Sequence, residues 1–139
     1  MRSIILAAML AAVTKPTSAG DIAITCKVSS GTEYITTFSP KSFSFSDKSD
    51  LGAPRNFIIS ADGLETPWGK ECAKAEVSAE RASVNCAGDY NSGTVSFSWK
   101  KIVDINRRLG TYSEIDTLTD ANAESSTHYS GTCEKREMF

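Results

Sequence analysis

The stretch Gly93-Thr-Val-Ser-Phe-Ser-Trp-Lys-Lys-Ile-Val-Asp-Ile-Asn-Arg-Arg-Leu-Gly-Thr-Tyr-Ser-Glu-Ile-Asp-Thr-Leu118 decides the fold class of this chain. Its alternate residues form a row that is apolar except for one lysine: Val95, Phe97, Trp99, Lys101, Val103 and Ile105. The residues between them are mostly polar, and this two-residue period is typical of a half-buried β-strand. Gly110 can adopt the positive φ that closes a hairpin loop of about three to five residues. The stretch therefore predicts a β-hairpin with Trp99 in the core.

The first nineteen residues have the pattern of a signal peptide. Arg2 gives a positive start, residues 4–13 are apolar, and residues 17–19 (Thr-Ser-Ala) provide the small side chains of a cleavage site. The apolar run is shorter than the roughly 20 residues that cross a bilayer. We predict cleavage after Ala19, with Gly20 or the next bond as the alternative. The mature chain, residues 20–139, would then be exported to the periplasm or the extracellular space, with no transmembrane segment.

The mature chain is mildly acidic and long enough for one β domain with a modest core. The leader holds Arg2 and Lys15 and no acidic residue, so its removal shifts the net charge from −2 to −4. Non-specific binding of nucleic acid needs a basic surface. We therefore do not expect nucleic acid as a partner.

Four cysteines lie in the mature region, and an even number in an exported chain indicates disulfides. Of the three possible pairings, we favour Cys26–Cys133, which joins the first strand to the last, and Cys72–Cys86, which staples one hairpin. A zinc site is not indicated, because the chain has no Cys-x₂-Cys pair and only one histidine.

The rest of the mature chain alternates between short apolar-polar runs and turn-forming residues. A strand over residues 22–29 is predicted to turn at Ser30-Gly31-Thr32, and a later strand carries Phe43 and Phe45 on one face. Together with the central hairpin, these runs predict about eight strands with turns every 8–12 residues. The expected class is all-β: a small antiparallel meander closed into a barrel, or a two-layer sandwich.

Residues 66–82 allow two interpretations. Thr66 before a proline can start a helix with Trp68 and Cys72 on one face. In the alternative, a strand over residues 72–78 turns into a strand over residues 81–87 and brings the two cysteines of this region together. We prefer the hairpin, because strands surround it and Gly69 lowers the helix propensity.

No residue pattern identifies a catalytic or metal site. His128 lies in the last strand without the Gly-x-Ser-x-Gly element of many hydrolases, so we interpret it as a solvated histidine. Residues 120–124 (DANAE) are spaced like the first ligands of a calcium loop, but Ser125 and Gly131 stand where glycine and glutamate are needed. We predict no catalytic residue, metal or cofactor.

Three residues are candidates for contact with a partner. Arg107 and Arg108 lie at the tip of the central hairpin, where a protruding loop makes contacts. With Lys100 and Lys101 they form a basic group, which we ascribe to solubility or to an acidic partner. Trp68, in a loop-like setting, either covers one end of a barrel or lines a pocket or interface.

Two short motifs in the C-terminal third carry a resemblance. They are the turn Asn106-Arg107-Arg108-Leu109-Gly110-Thr111-Tyr112 and the closing Ser130-Gly131-Thr132-Cys133. With the leader and the short all-β body, they resemble small exported proteobacterial all-β proteins of unassigned function. The layout is also similar in outline to calycin-type barrels and to periplasmic barrel inhibitors of lysozyme or proteases. The Gly-x-Trp of the first lipocalin strand is absent, and the resemblance implies no catalytic residue.

These observations favour an exported, non-enzymatic binding protein, such as an inhibitor or interaction module for another envelope or extracellular protein. The alternative is a carrier that holds a small lipophilic ligand inside a β-barrel. A hydrolase is the third hypothesis, and it would depend on His128.

Overall fold

Nine β-strands make up most of the chain in the computed structural model, which describes residues 21–69, 72 and 76–134. The predicted signal peptide, residues 1–19, lies outside this range. The strands are β1 (Ile22–Phe38), β2 (Lys41–Asp47), β3 (Arg55–Ser60), β4 (Gly63–Glu65), β5 (Glu76–Val77), β6 (Arg81–Asn91), β7 (Ser96–Asn106), β8 (Thr111–Thr119) and β9 (Ala123–Cys133).

The strands form one antiparallel sheet in the order β4-β3-β1-β9-β8-β7-β6-β5, and β2 pairs with β1 beside β3. The first and last strands, β1 and β9, are neighbours in this order. At its two ends, β4 contacts β5 and β6. The sheet is therefore nearly closed into a barrel, which confirms the predicted all-β class.

The predicted central hairpin is formed by β7 and β8, joined by residues 107–110. Gly110 has a φ of 68°, as its position in the turn requires. The Asn106 side chain accepts hydrogen bonds from the backbone N–H groups of Arg108 and Leu109, at 3.1 and 2.9 Å. These contacts close the turn in the way that asparagine typically does.

Only part of the apolar row from Val95 to Ile105 lies in the core. Val103 and Ile105 are fully buried, whereas Val95 is 53% exposed. Trp99 is partly buried against the edge of the core, over Gly88, where a Cβ atom would lie 2.7 Å from the indole nitrogen. The predicted core position of Trp99 is therefore only partly correct, because the first half of the row lies on the end of the sheet that projects past the core.

β1 is one continuous strand of 17 residues, so the predicted turn at Ser30-Gly31-Thr32 is wrong. Gly31 permits a close side-chain approach instead of a turn, since a Cβ atom there would lie 2.8 Å from the Tyr129 ring. A glycine within a strand often marks such an approach.

A β-bulge at Ser29 divides β1 into two parts. The paired residues shift from Val28 opposite Gly131 to Ser30 opposite Ser130, which leaves Ser29 as the extra residue. Before the bulge, even-numbered residues such as Val28 face the interior. After it, they face outward, because one extra residue inverts the alternation.

The core lies on the inner face of the barrel, where apolar side chains from seven of the strands meet. The residues of this core are Ile24, Cys26, Val28, Phe57, Ile59, Leu64, Cys72, Ala82, Val84, Cys86, Val103, Ile105, Tyr112 and Cys133. In contrast, every residue of β2 is exposed. β2 therefore lies on the part of the sheet that projects past the core.

Both predicted disulfides are present. Cys26 and Cys133 are direct partners in the β1–β9 ladder, with Cα atoms 3.9 Å apart. Cys72 and Cys86 bond with Cα atoms 5.3 Å apart. The first bond joins the two chain-terminal strands, and the second attaches the segment before β5 to the wall of the barrel.

The preferred interpretation of residues 66–82 is confirmed, since β5 and β6 form an antiparallel hairpin with Val77 opposite Ala82. Its first strand is described from Glu76. The predicted start of this strand at Cys72 is wrong, because Cys72 lies in a 3₁₀ turn and its N–H donates to the carbonyl of Gly69 at 3.2 Å. Residues 73–75 of the predicted strand lie outside the described part of the chain.

Candidate functional site

A cluster of charged side chains lies inside the barrel, next to the apolar core. We call Arg55, Lys101, Tyr112, Glu114 and Asp116 the interior ion network. The side chain of Glu114 is completely buried, and its carboxylate accepts hydrogen bonds from Arg55 Nε at 3.1 Å and Lys101 Nζ at 2.8 Å. The Tyr112 hydroxyl donates to the same carboxylate, and Lys101 Nζ also donates to Asp116. Two cations thus balance two anions, as buried charges require.

The β7–β8 register brings this network together. Lys101 faces Asp116 directly, and Glu114 faces Val103 on the same inner surface. The sequence interpretation placed Lys101 in one basic group with Lys100, ascribed to solubility or to an acidic partner. The structure separates the two lysines. Because neighbouring residues of a strand point to opposite faces, Lys100 is outside and Lys101 inside.

Aromatic rings cover the cations of the network. The Lys101 ammonium lies 4.3 Å from the centroid of a Trp68 ring, and the Arg55 guanidinium lies 5.7 Å from that of Tyr129. Trp68 also contacts Phe57 edge to face, with centroids 5.6 Å apart. Trp68 thus lies over the interior, which agrees with its predicted role as a cover for one end of the barrel.

The network has one group that titrates near neutrality. Burial raises the pKa of Asp116 to about 6, more than the hydrogen bond from Lys101 lowers it. The carboxylate of Glu114 accepts from three donors and is shielded from solvent. A carboxylate in this setting stabilises the barrel interior and is not available to bind a substrate.

A second group of aromatic residues lies on the outside of the sheet. We call Tyr34, Phe43, Phe45 and His128 the outer aromatic face. Tyr34 lies 6.2 Å from each phenylalanine, centroid to centroid, and 4.9 Å from His128. Phe43 is 64% and Phe45 69% exposed. Two large apolar side chains so close together and so exposed are uncommon on a monomeric soluble protein.

The strand registers place these rings side by side. Tyr34 is opposite Phe45 across the β1–β2 ladder, and Thr36 is opposite Phe43. Residues opposite one another in an antiparallel pair share a face. The sequence showed Phe43 and Phe45 on one face, but alternation alone does not say whether that face is inside or outside.

The tip of the central hairpin lies against the β5–β6 turn. The Arg107 guanidinium donates to the carbonyl oxygen of Ser78 at 2.5 Å. Arg108 pairs with Glu80 at 3.3 Å, and both of these side chains are largely exposed. The two arginines that were predicted as partner contacts therefore interact within the chain, whereas Trp68 contacts Phe57 and Lys101.

The remaining candidates have local roles. The carboxylate of Asp120 accepts backbone hydrogen bonds from Asn122 and Ala123, at 2.7 and 2.9 Å, which lower its pKa. It caps the β8–β9 turn. In the part of the chain that the structure describes, no three potential ligands are grouped to hold a metal ion. His128 is exposed and packs edge to face on Tyr34, on the outer surface.

A carrier of lipophilic ligands would need an apolar cavity inside the barrel. The described interior holds the closely packed core and, beside it, the interior ion network. An open depression of about 420 Å³ lies on the outer surface, where Gly88, Lys100, Thr117 and Glu124 contribute to its lining. It is open to solvent on the outside of the sheet and is separate from the core.

Within the described residues, no helix is long and apolar enough to cross a membrane. Comparison with models of known protein families, with curated proteins and with solved structures found no match for the chain.

Proposed function

We propose that the chain is an exported, non-enzymatic binding protein that contacts another envelope or extracellular protein through the outer aromatic face. The observation that carries this proposal is the exposure of Phe43 and Phe45 beside Tyr34. Aromatic side chains are enriched in the centres of protein interfaces, where they supply much of the binding energy. An inhibitor or interaction module would use such a surface.

The position of this face favours contact with a large partner. The four rings lie on three adjacent strands, β1, β2 and β9, and so present a broad surface rather than a pocket. A small ligand usually needs a concave site that covers most of its surface, whereas a protein can cover a face of this kind. Polar residues such as Thr36, Ser126 and Glu124 border the rings, as at the rim of an interface.

The disulfides support the export part of the proposal. Both bonds indicate an oxidising environment, as in the periplasm or outside the cell. The bond from Cys26 to Cys133 also joins β1 to β9, two of the strands that carry the outer aromatic face, and so stiffens the scaffold that holds it. A rigid surface loses less conformational freedom when it binds.

Site-specific photo-crosslinking in the exporting cell tests the proposal. A photoreactive phenylalanine analogue would replace Phe43 or Phe45 in turn, and, as matched controls, Tyr90 or Leu109. The controls are 50% and 62% exposed but lie away from the outer aromatic face. We expect one discrete adduct with a different protein from positions 43 and 45, and none from the controls.

Equal adducts from all four positions, or no adduct with another protein, would overturn the proposal. Purification of the adduct and identification by mass spectrometry separate a heterologous partner from a second copy of this chain. Replacement of Phe43 and Phe45 by serine should then abolish capture of the same partner, while Leu109→Ser leaves it unchanged.

A further inference from the structure

The outer edge of β2 is unpaired among the described residues. β2 forms a ladder with β1 on one side only, over Lys41–Asp47. All seven of its residues are exposed. An uncovered strand edge offers a row of backbone donors and acceptors to another strand.

Two backbone hydrogen bonds identify which groups face this free edge. The N–H of Phe38 donates to Asn122, on the β9 side of β1, and the carbonyl of Gly31 accepts from Lys48, on the β2 side. Backbone groups alternate sides along a strand, so the odd-numbered residues of this part of β1 bond to β2. Their partners in β2 are Ser42, Ser44 and Ser46. The backbone groups of the other four residues of β2, namely Lys41, Phe43, Phe45 and Asp47, therefore point to the free edge.

The sequence of β2 is complementary to itself when it is reversed. It reads Lys-Ser-Phe-Ser-Phe-Ser-Asp from Lys41 to Asp47. About the central Ser44, phenylalanine mirrors phenylalanine, serine mirrors serine, and lysine mirrors aspartate. Such a strand can meet a second copy of itself in antiparallel orientation with like side chains in contact and opposite charges paired.

We propose that two copies of this chain associate through β2, antiparallel, with a two-fold axis at Ser44. In this arrangement Phe43 of each copy is opposite Phe45 of the other, and Lys41 is opposite Asp47. The four residues of β2 whose backbone groups point to the free edge form hydrogen-bonded pairs with their counterparts in the other copy, which gives about eight backbone hydrogen bonds between the copies. The interface is isologous, as in most homodimers. This proposal does not rest on the proposed binding function, because it concerns the purified chain alone.

The charges at the two ends of β2 select this register. A shift by two residues in either direction would place a phenylalanine opposite Lys41 or Asp47 and leave the charges unpaired. A parallel arrangement would bring like charges together, which is unfavourable for cross-strand neighbours. Only the register centred on Ser44 combines two aromatic pairs with two opposite-charge pairs, and cross-strand pairs of both kinds stabilise a sheet.

The dimer would extend the outer aromatic face without covering it. Side chains of Phe43 and Phe45 stand on the outer surface, roughly perpendicular to the sheet, whereas the proposed contacts run along its edge. Two aromatic faces would therefore join into one surface across the axis. Because a single strand from each copy is buried, we expect the association to be reversible and concentration-dependent, as for small interfaces.

Sedimentation equilibrium of the exported, purified chain over a concentration series measures the association. We expect Lys41→Asp alone, or Asp47→Lys alone, to raise the dissociation constant at least about tenfold, because each change places like charges together at both ends. The double variant, Lys41→Asp with Asp47→Lys, restores the pairing and should regain the wild-type constant. Circular dichroism confirms that each of these surface variants is folded.

A cysteine cross-link tests the register directly. At a non-hydrogen-bonded pair, the Cα atoms are about 4.5 Å apart, within the range of a disulfide. Ser44→Cys should therefore give a covalent dimer on oxidation, while Ser42→Cys, whose counterpart is Ser46, should not. A chain that stays monomeric throughout the concentration series, failure of the double variant to recover, or equal cross-linking at both positions would overturn the proposal.

Discussion

Lys101 Nζ lies 2.8 Å from the carboxylate of Glu114 inside the barrel, where the Glu114 side chain has no exposed surface. Removal of one partner from a buried ion pair is costly, because the remaining charge stays out of water without compensation. The two residues come from adjacent strands, so the pair also connects β7 with β8. Loss of a single member of the interior ion network should therefore destabilise the fold.

Substitution of Lys101 by methionine tests this expectation. Lys101→Met leaves Asp116 without its lysine and Glu114 with one cation fewer, and we expect a loss of about 3–5 kcal/mol in the free energy of unfolding. Lys100→Met is a matched control, since it removes the same charge one residue away on the exposed face; it should change stability by less than about 0.5 kcal/mol. Urea denaturation measures both, and equal effects would contradict the structural role of Lys101.

The raised pKa of Asp116 predicts a specific dependence of stability on pH. Its pKa is about 6 in the folded chain, against an ordinary value of 3.8. The folded state therefore binds more protons between these values, so this group's stabilising contribution is complete below about pH 4 and is lost as the pH rises to about 6. Asp116→Asn should remove this part of the pH dependence.

Carbon NMR of the Asp116 carboxyl group and urea midpoints between pH 4 and pH 7 provide the measurements. Asp120→Asn serves as a control, because its pKa is lowered rather than raised and the Asp116 contribution should persist. An Asp116 titration centred near 3.8 would refute the prediction.

Gly131 should tolerate no larger residue. It is opposite Val28 at the bulge, and a Cβ atom there would collide with the backbone carbonyl of Lys27 and lie 2.9 Å from the Cα atom of Val28. Gly131→Ala must therefore separate β1 from β9, at a cost of about 1–3 kcal/mol or more. Thr132→Ala, at the adjacent exposed position, should have little effect. Thermal unfolding compares the two variants, and equal melting temperatures would be the contrary result.

The two disulfides should differ in their contribution to stability. In the chain-entropy model, the bond from Cys26 to Cys133 closes a loop with a sequence separation of 107 and is worth roughly 4–5 kcal/mol. The bond from Cys72 to Cys86 spans 14 residues and is worth roughly 3 kcal/mol. Paired serine substitutions and urea denaturation test the order. A larger loss for the shorter loop would show that native packing outweighs the entropy of the unfolded chain.

Much of the fold could be predicted from local patterns. The alternation from Val95 to Ile105 identified the central hairpin, and Gly110 located its turn correctly. The disulfide pairing was also predicted, because one pair joins the terminal strands and the other lies near a single hairpin. These predictions succeeded because each depends on residues close in sequence or on a small number of alternatives.

The candidate sites were harder to predict, because they depend on register across strands. Lys101 stood visibly in the inner row of β7, but its partners Glu114 and Asp116 become evident only when β7 and β8 are aligned. Likewise, Phe43 and Phe45 share a face in the sequence, but whether that face lies outside depends on the β1–β2 and β1–β9 registers. A lysine in an otherwise apolar row, with two acidic residues at alternate positions of the returning strand, was the available signal.

The bulge at Ser29 decides which side chains of β1 lie on the outer surface. Every side chain of β1 that follows it changes sides, so Tyr34 reaches the outer surface because one extra backbone residue precedes it. Deletion of Ser29 would retain every aromatic residue and yet turn Tyr34 inward, away from Phe45. The surface chemistry of this protein is therefore encoded in the length of β1 as well as in its composition.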